Sequence, residues 1–147
     1  MTRTTHSPIH ENISNVRTPA ELVDAILVAM ADYDGAAVAP LLHEDVVWWV
    51  PPSAMRFGLT RPIVGRDAVV QLLTGGLGFF QPGTITWEVR QLIADDTHVA
   101  AAFTRRSLTA GGKPYENEYC FVFRHVDGCI AEGWEYTDTA HAAAQMD

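Results

Sequence analysis

The second half of the chain alternates. From Thr84 to Ile93, the apolar Ile85, Trp87, Val89 and Ile93 interleave with Thr84, Thr86, Glu88 and Arg90. A period of two marks a strand with one covered face. His98–Leu108, Tyr115–Phe123 and Ile130–Thr137 read as further strands. They are separated by turns at Asp95-Asp96, Ala110-Gly111-Gly112 and Val126-Asp127-Gly128.

The first half has a different period. Leu22, Ala25, Ile26, Ala29 and Met30 fall on one face of a helix that runs to about Tyr33. Thr18-Pro19-Ala20-Glu21 starts it: Thr18 caps, Glu21 reaches back, and Pro19 sits where its missing N–H costs nothing. Asp34-Gly35 breaks it. A short second helix is expected over Ala36–Leu42, with Pro40 late in it. Val46–Val50 is β-branched and aromatic on both faces, so it predicts a strand covered on both sides. Ser53–Pro62 reads as a loop. A third helix runs from Gly65-Arg66-Asp67 to Leu73, and Gly75, Gly76 and Gly78 end it. No strand feeds these glycines and no Lys-Ser/Thr follows, so they are not a phosphate loop. Helices and one strand, then four long strands, make an α+β pattern with a mostly antiparallel, strongly curved sheet. Residues 1–17 read as a polar arm, 18–140 as one domain and 141–147 as a short tail.

Composition narrows the function. At 147 residues and 48% apolar, the chain can bury a core without a metal or disulfide. A net charge of −8 with no basic run disfavours nucleic acid and anionic membranes. The N-terminus lacks the apolar core of a signal peptide, and no apolar run approaches the ~20 residues of a membrane span. The expectation is a cytoplasmic protein. No CxxC or HExxH spacing is present, so no metal or cofactor is expected. Cys120 and Cys129 flank the last turn. A disulfide between them is one reading, and two reduced, buried thiols the other.

Several segments carry a resemblance. They are His43-Glu44-Asp45-Val46-Val47-Trp48, Pro62-Ile63-Val64-Gly65-Arg66-Asp67-Ala68-Val69, Tyr115-Glu116-Asn117-Glu118-Tyr119-Cys120-Phe121, Asp127-Gly128-Cys129-Ile130 and Glu135-Tyr136-Thr137-Asp138. In order and spacing, over residues 18–140, the chain resembles the SnoaL-like branch of the nuclear-transport-factor-two-like superfamily. The resemblance implies a cone-shaped α+β barrel with three helices on the sheet, a ligand cavity between them, and a homodimer. Its members include ketosteroid isomerases, limonene-epoxide hydrolases, polyketide cyclases, a phenazine-biosynthesis group and proteins with no chemistry, so fold alone leaves function open.

The resemblance transfers unevenly. The isomerase base falls near Val50-Pro51 and the isomerase tyrosine near Val28, none of which can ionise. The epoxide-hydrolase tyrosine and asparagine fall on Trp48 and Val50. The hydrolase Arg-x-Asp pair falls within Thr104–Leu108, where Arg105 or Arg106 stands for part of it and no Asp is present. An acidic residue on the last strand is retained as Glu135. The phenazine group resembles Tyr115-Glu116-Asn117 and has a glutamate matching Glu135.

The residues themselves point the same way. Glu135 shares a strand face with the small Ala131, Gly133 and Thr137, which leave room in front of it. A carboxyl in an aromatic cavity has its pKa raised by desolvation into the range useful for acid–base work. The bland readings are an exposed glutamate or a buried salt bridge. Asn117 and Tyr119, on a face with Tyr115, Phe121 and Phe123, are candidates to orient a ligand or to hold Glu135; plain packing is the alternative. Trp48 and Val50 are candidate cavity walls, with plain core as the alternative for Trp48. Arg106 is a candidate inward partner for Glu135, with a surface arginine as the alternative. His43 and Tyr33 are lesser candidates, read as a surface histidine and a core tyrosine. The functional expectation is a protein for a small, largely apolar molecule of terpenoid, steroid-like or polyketide-like kind, acting by cofactor-free acid–base chemistry. The rival is a non-catalytic binding or dimerisation module.

Overall fold

The structure, a computed structural model, describes residues 16–146, so nearly all of the expected arm, residues 1–17, lies outside the described residues. Helix α1 spans Pro19–Ala31 and α2 spans Gly35–Val38. Strand β1 is Leu42–Trp49, β2 is Ile63–Val64 and α3 is Arg66–Leu73. Then come β3 (Thr86–Ala94), β4 (His98–Leu108), β5 (Pro114–Val126), β6 (Cys129–Thr137) and α4 (Thr139–Gln145). The sheet order is β2-β1-β6-β5-β4-β3. Every pairing is antiparallel except β1 with β6, so the α+β expectation of a mostly antiparallel sheet holds.

Local chemistry accounts for the elements. Thr18 Oγ1 accepts the Glu21 amide at 3.2 Å, and Pro19 occupies the first turn of α1. The apolar face of α1 buries Leu22, Val23, Ile26, Leu27, Ala29 and Met30. Asp34 caps α2 by accepting from the Ala37 amide at 3.0 Å. Pro40 then tightens the chain into a 3₁₀ turn, Ala39–Leu41, and Leu42 already belongs to β1. At the β5–β6 turn, Asp127 and Gly128 both have positive φ, 53° and 75°, as a two-residue hairpin turn of the favoured hand requires.

The core lies between the helices and the concave face of the sheet. Trp48, Phe121 and Phe123 form its centre, with ring centroids 5.3 Å and 5.6 Å from Trp48. Val46, Trp48 and Val50 are buried while Val47 and Trp49 are half-buried, so β1 is covered more fully on one side than on the other.

Several expectations need correction. The 53–62 loop contains a 3₁₀ helix, Pro52–Phe57. The C-terminal tail is mostly a helix, α4, whose first turn is capped by Asp138 accepting from the His141 amide at 2.9 Å. Gln145 anchors that helix. Its Oε1 accepts the Glu116 amide at 2.9 Å and its Nε2 donates to the Glu116 carbonyl at 3.0 Å. The β5–β6 pairing begins only at Tyr119, so Gln145 completes the hydrogen bonds of β5 beyond the end of its neighbour. The alternation in β3 does not give a covered face along its length. Ile85 is buried and Trp87 half-buried, but a register shift lies between Val89 and Gln91, and Val89, Leu92 and Ile93 are exposed. For the cysteines the reduced reading holds, with the thiols half-buried: Cys120 and Cys129 are free and on different rungs, since Cys120 faces Tyr136 and Cys129 faces Val126. Among the described residues no helix is long and apolar enough to cross a membrane.

Candidate functional site

The curved sheet, α1, the Gly75–Phe80 segment and α4 enclose a cavity of about 120 Å³. Its wall is mostly apolar: Met30, Leu72, Leu73, Phe79, Phe80 and Trp87 contribute. Glu135 is the one carboxylate among the residues that line it, and Arg105 the one cation. Tyr33, Tyr115 and Tyr119 supply hydroxyls.

Strand parity places Glu135. Gly133, Glu135 and Thr137 project to the concave side, while Tyr136 is 54% exposed on the other. Glu135 is half-buried: it faces the void, and the protein around it desolvates its carboxyl. Among the described residues its carboxyl accepts no hydrogen bond. Burial pushes it up from the ordinary 4.5 to about 7, against the opposing pull of the Arg105 guanidinium.

Arg105 reaches the same cavity from β4. Its guanidinium carbon lies 3.9 Å from the ring centre of Phe80 and 5.2 Å from that of Trp87. Contacts of this kind hold a cation by the negative faces of the rings. The indole of Trp87 is itself fixed, donating to the Leu27 carbonyl of α1 at 2.6 Å.

Tyr119 and Tyr115 form a hydroxyl pair at 2.7 Å. Burial first, and then the neighbouring Tyr115, hold the Tyr119 phenol well above its ordinary value, with Arg105 acting the other way, so it remains a neutral donor. Asn117 stands behind the pair. Its Nδ2 lies 3.2 Å from the Tyr115 hydroxyl, 3.1 Å from Thr137 Oγ1 and 2.9 Å from the Asp138 carbonyl. Its Oδ1 accepts the Glu118 amide at 2.9 Å. One buried amide therefore ties β5 to the end of β6, two residues beyond Glu135. Asn117→Ala is expected to cost about 2 kcal/mol in a urea melt, because it removes the donor and leaves buried acceptors bare.

The cavity includes some of the sequence-predicted residues and excludes others. Glu135 and Tyr119 line it. Trp48 does not: it is fully buried in the core, edge-on to Phe121. Val50 is buried at the end of β1, also away from the lining. Asn117 is buried behind the wall and does not touch Glu135 by any hydrogen bond. Arg106 is corrected outright. It lies on the outer face, bonded to Glu88 and Glu116 at 2.8 Å each, and Arg105 takes the inward position. His43 is a surface residue with Nε2 2.8 Å from the Val126 carbonyl. Val28 is 55% exposed.

Tyr33 lines the cavity and is not a core residue. It has φ 52°, and its ring packs where a Gly75 side chain would be, 2.6 Å from an added Cβ. The glycines after α3 thus bring the backbone close to the cavity wall. The roles of Tyr115, Trp87, Phe79 and Phe80 were also not foreseen. The signal for Trp87 was the Ile85/Trp87 alternation; Phe79 and Phe80 lie in a Gly-rich loop with no periodicity to read. Among the described residues no group of three or more His, Cys, Asp or Glu side chains could hold a metal. A second depression, about 630 Å³ but shallow, lies on the outer face beside Arg90, Glu118, Cys120 and Tyr136. It is larger than the cavity, but it lacks enclosure and touches none of Glu135, Arg105 and Tyr115.

Comparison with known proteins agrees with the geometry. The model of the SnoaL-like domain matches residues 23–133. No curated protein sequence matches the chain. An NTF2-like protein of unknown function from Burkholderia pseudomallei is 19% identical, with a TM-score of 0.75 over 87% of this chain and 96% of that one. IdmH, a candidate polyketide cyclase from Streptomyces antibioticus, is 21% identical, with a TM-score of 0.74 over 88% and 99% of the two chains. An epoxide hydrolase of the LEH-like kind from M. tuberculosis is 21% identical, with a TM-score of 0.68 over 87% and 88%. These similarities are structural and show the fold. The family model covers most of the sequence, and the chain belongs to the SnoaL-like domain family.

Proposed function

We propose that the cavity is the site of a cofactor-free acid–base enzyme, with Glu135 as the catalytic group. The observation that carries this is a carboxyl with no hydrogen-bond partner among the described residues, enclosed by aromatic walls and raised to about 7. A group poised there is half ionised near neutrality and works in either direction. The Glu135 carboxylate would take a proton from a carbon next to a ligand carbonyl. The electron pair moves onto the carbonyl oxygen, which accepts a hydrogen bond from Tyr119. Where the ligand has a β,γ double bond the intermediate is a dienolate: its oxygen pair re-forms the carbonyl, the double bond shifts into conjugation, and Glu135 returns the proton to the γ-carbon, an isomerisation. Alternatively the enolate carbon attacks a second carbonyl and the proton goes to the new alkoxide, a cyclisation. Asn117 acts as a positioning residue: donation to Tyr115 leaves Tyr115 free to donate to Tyr119, and Tyr119 free to donate to the ligand.

Size supports a compact ligand. A volume of about 120 Å³ lies nearer the ~150 Å³ that takes a benzene than the ~300–1,000 Å³ of drug-sized sites. A one- or two-ring terpenoid or polyketide-like molecule fits this better than a steroid. The test uses 2-tetralone in D₂O. The protein should speed exchange of its α-protons well above the buffer rate, and Glu135→Gln should remove the gain. No acceleration by the wild type across a panel of compact ketones would sink the enzyme reading.

The rival is a binding module. It is favoured by the non-ionisable residues at Val28, Val50 and Pro51, where relatives place a base and a tyrosine. It predicts that ligands bind with no proton exchange, whether or not Glu135 is present.

A homodimer is part of the proposal. The exposed Val89, Leu92 and Ile93 on the edge strand support it, since such a strand is ordinarily covered or charged. Ile93→Glu is expected to shift the sedimentation coefficient from dimer to monomer at micromolar protein. A monomeric wild type would refute this.

A further inference from the structure

We propose that Arg105 is a binding residue for an anionic oxygen, and that the ligand of this cavity is a flat, conjugated organic anion. The inference rests on reading the cavity as a ligand site, and it adds the charge and shape of the ligand. Arg105 Nε is buried with no hydrogen-bond partner. Among the described residues its guanidinium is held by the rings of Phe80 and Trp87 and by no carboxylate within ion-pair distance. Its five N–H donors lie in the plane of the fork. A buried donor left unused, here Nε, carries a cost that a partner can offset.

The other arginines show what the chain does with cations it intends to satisfy. Arg106, one residue on, has Glu88 and Glu116. Arg61 donates to the Val50 carbonyl at 2.9 Å, and Arg66 to the Leu42 carbonyl at 3.2 Å and 3.0 Å. Ser107, two residues along the inward face of β4, has a buried Oγ that is also without a partner. Glu135 is the one carboxylate lining the cavity, and burial raises it to about 7, so its neutral form is well populated near neutrality. A protonated Glu135 leaves the positive charge of Arg105 uncancelled and itself becomes a donor to an oxygen. Tyr119 is a second neutral donor. Cation and neutral donors together suit a ligand oxyanion. The aromatic rings beside the guanidinium, Phe80 and Trp87, suit a flat apolar body continuous with it.

The experiment compares 2-naphthoate with its neutral isostere 2-naphthamide by isothermal titration calorimetry. Wild type is expected to bind the carboxylate more tightly by about tenfold or more, the worth of a charge-assisted hydrogen bond. Arg105→Gln should bring the two affinities together by weakening naphthoate alone. If that variant does not fold, Arg105→Met keeps an apolar stem beside the rings and is read the same way. Arg106→Gln should leave the preference intact. The two readings fail separately: the acid–base reading by lack of proton exchange on 2-tetralone, this one by lack of charge preference. Equal binding of the two probes, no binding of either, or a preference that survives the loss of Arg105 would each overturn it.

Discussion

Glu135→Gln is expected to abolish proton exchange and, at the same time, to make the protein more stable above neutral pH. The two effects have one cause. General acid–base groups contribute about 10²–10⁴ in rate, so a loss of roughly a thousandfold is expected when the proton carrier is removed. The stability gain follows from the sign of the shift. The folded carboxyl is raised from 4.5 to about 7 by burial, so the native state holds its proton more tightly than the unfolded chain does. Below about pH 4.5 both states are protonated and burial of the group carries no ionic cost. Between about 4.5 and 7 the unfolded chain ionises first, and stability falls as pH rises. Above about 7 the loss is complete. At ~1.4 kcal/mol per pH unit it amounts to about 3 kcal/mol, with the attraction of Arg105 already included in the net shift. Glutamine keeps the shape and never ionises. Thermal melts of the two proteins should therefore nearly coincide at acid pH and separate by about 5–10 °C at about pH 8, the variant being higher. A variant no more stable than wild type at that pH would show that the carboxyl is not desolvated, and the catalytic reading would lose its physical basis. Activity and stability are set against each other at this one residue.

Much of the cavity's framework is legible in the sequence because its signals are local. Thr18-Pro19-Ala20-Glu21 contains its own capping bonds, and Asp127-Gly128 contains its own turn conformation. The inward direction of Glu135 follows from the small residues at Gly133 and Thr137, two either side of it. The choice of Arg106 over Arg105 failed for a non-local reason. A strand's parity fixes which residues share a face but not which face is inside. The register across β4 and β5 decides it: Arg106 stands opposite Glu116, and Arg105 opposite Asn117. Once Tyr115, Asn117 and Tyr119 are placed inward, Glu116 and Glu118 must point out. A basic residue opposite Glu116 then gains a partner outside. That inference was available and requires pairing two strands, not reading one. Trp48 failed differently. Spacing from relatives put it at the cavity, but Gly133 on the neighbouring strand gives the indole a place in the core. Helix α4 does carry a local signal, since Asp138 is a good cap and Ala140, Ala142, Ala143 and Ala144 are strong helix formers.

Gly133→Ala is expected to destabilise the protein by about 2–4 kcal/mol, more than its single methyl group suggests. Trp48 and Gly133 are paired across β1 and β6, the one parallel contact in the sheet. A Cβ built on Gly133 would lie 2.5 Å from Trp48 Cε3 and 2.6 Å from Cζ3. Neither partner has room to yield. The indole is fully buried and meets Phe121 at 5.3 Å and Phe123 at 5.6 Å, and both phenyl rings are buried too. Close-packed interiors answer such an insertion by moving backbone or forcing a strained rotamer. Here the backbone that moves is β6, and Glu135 is two residues along it on the same face. The variant should therefore lose exchange activity as well as stability, through displacement of the carboxyl and not through any change in its chemistry. Combining it with Trp48→Phe tests the cause, since the smaller ring vacates the space that the methyl group takes. In a double-mutant cycle the pair should be less destabilised than the sum of the singles by about 1 kcal/mol or more. A cost for Gly133→Ala within about 0.5 kcal/mol of zero, or strict additivity with Trp48→Phe, would mean that this glycine is not what lets β1 and β6 close over the core.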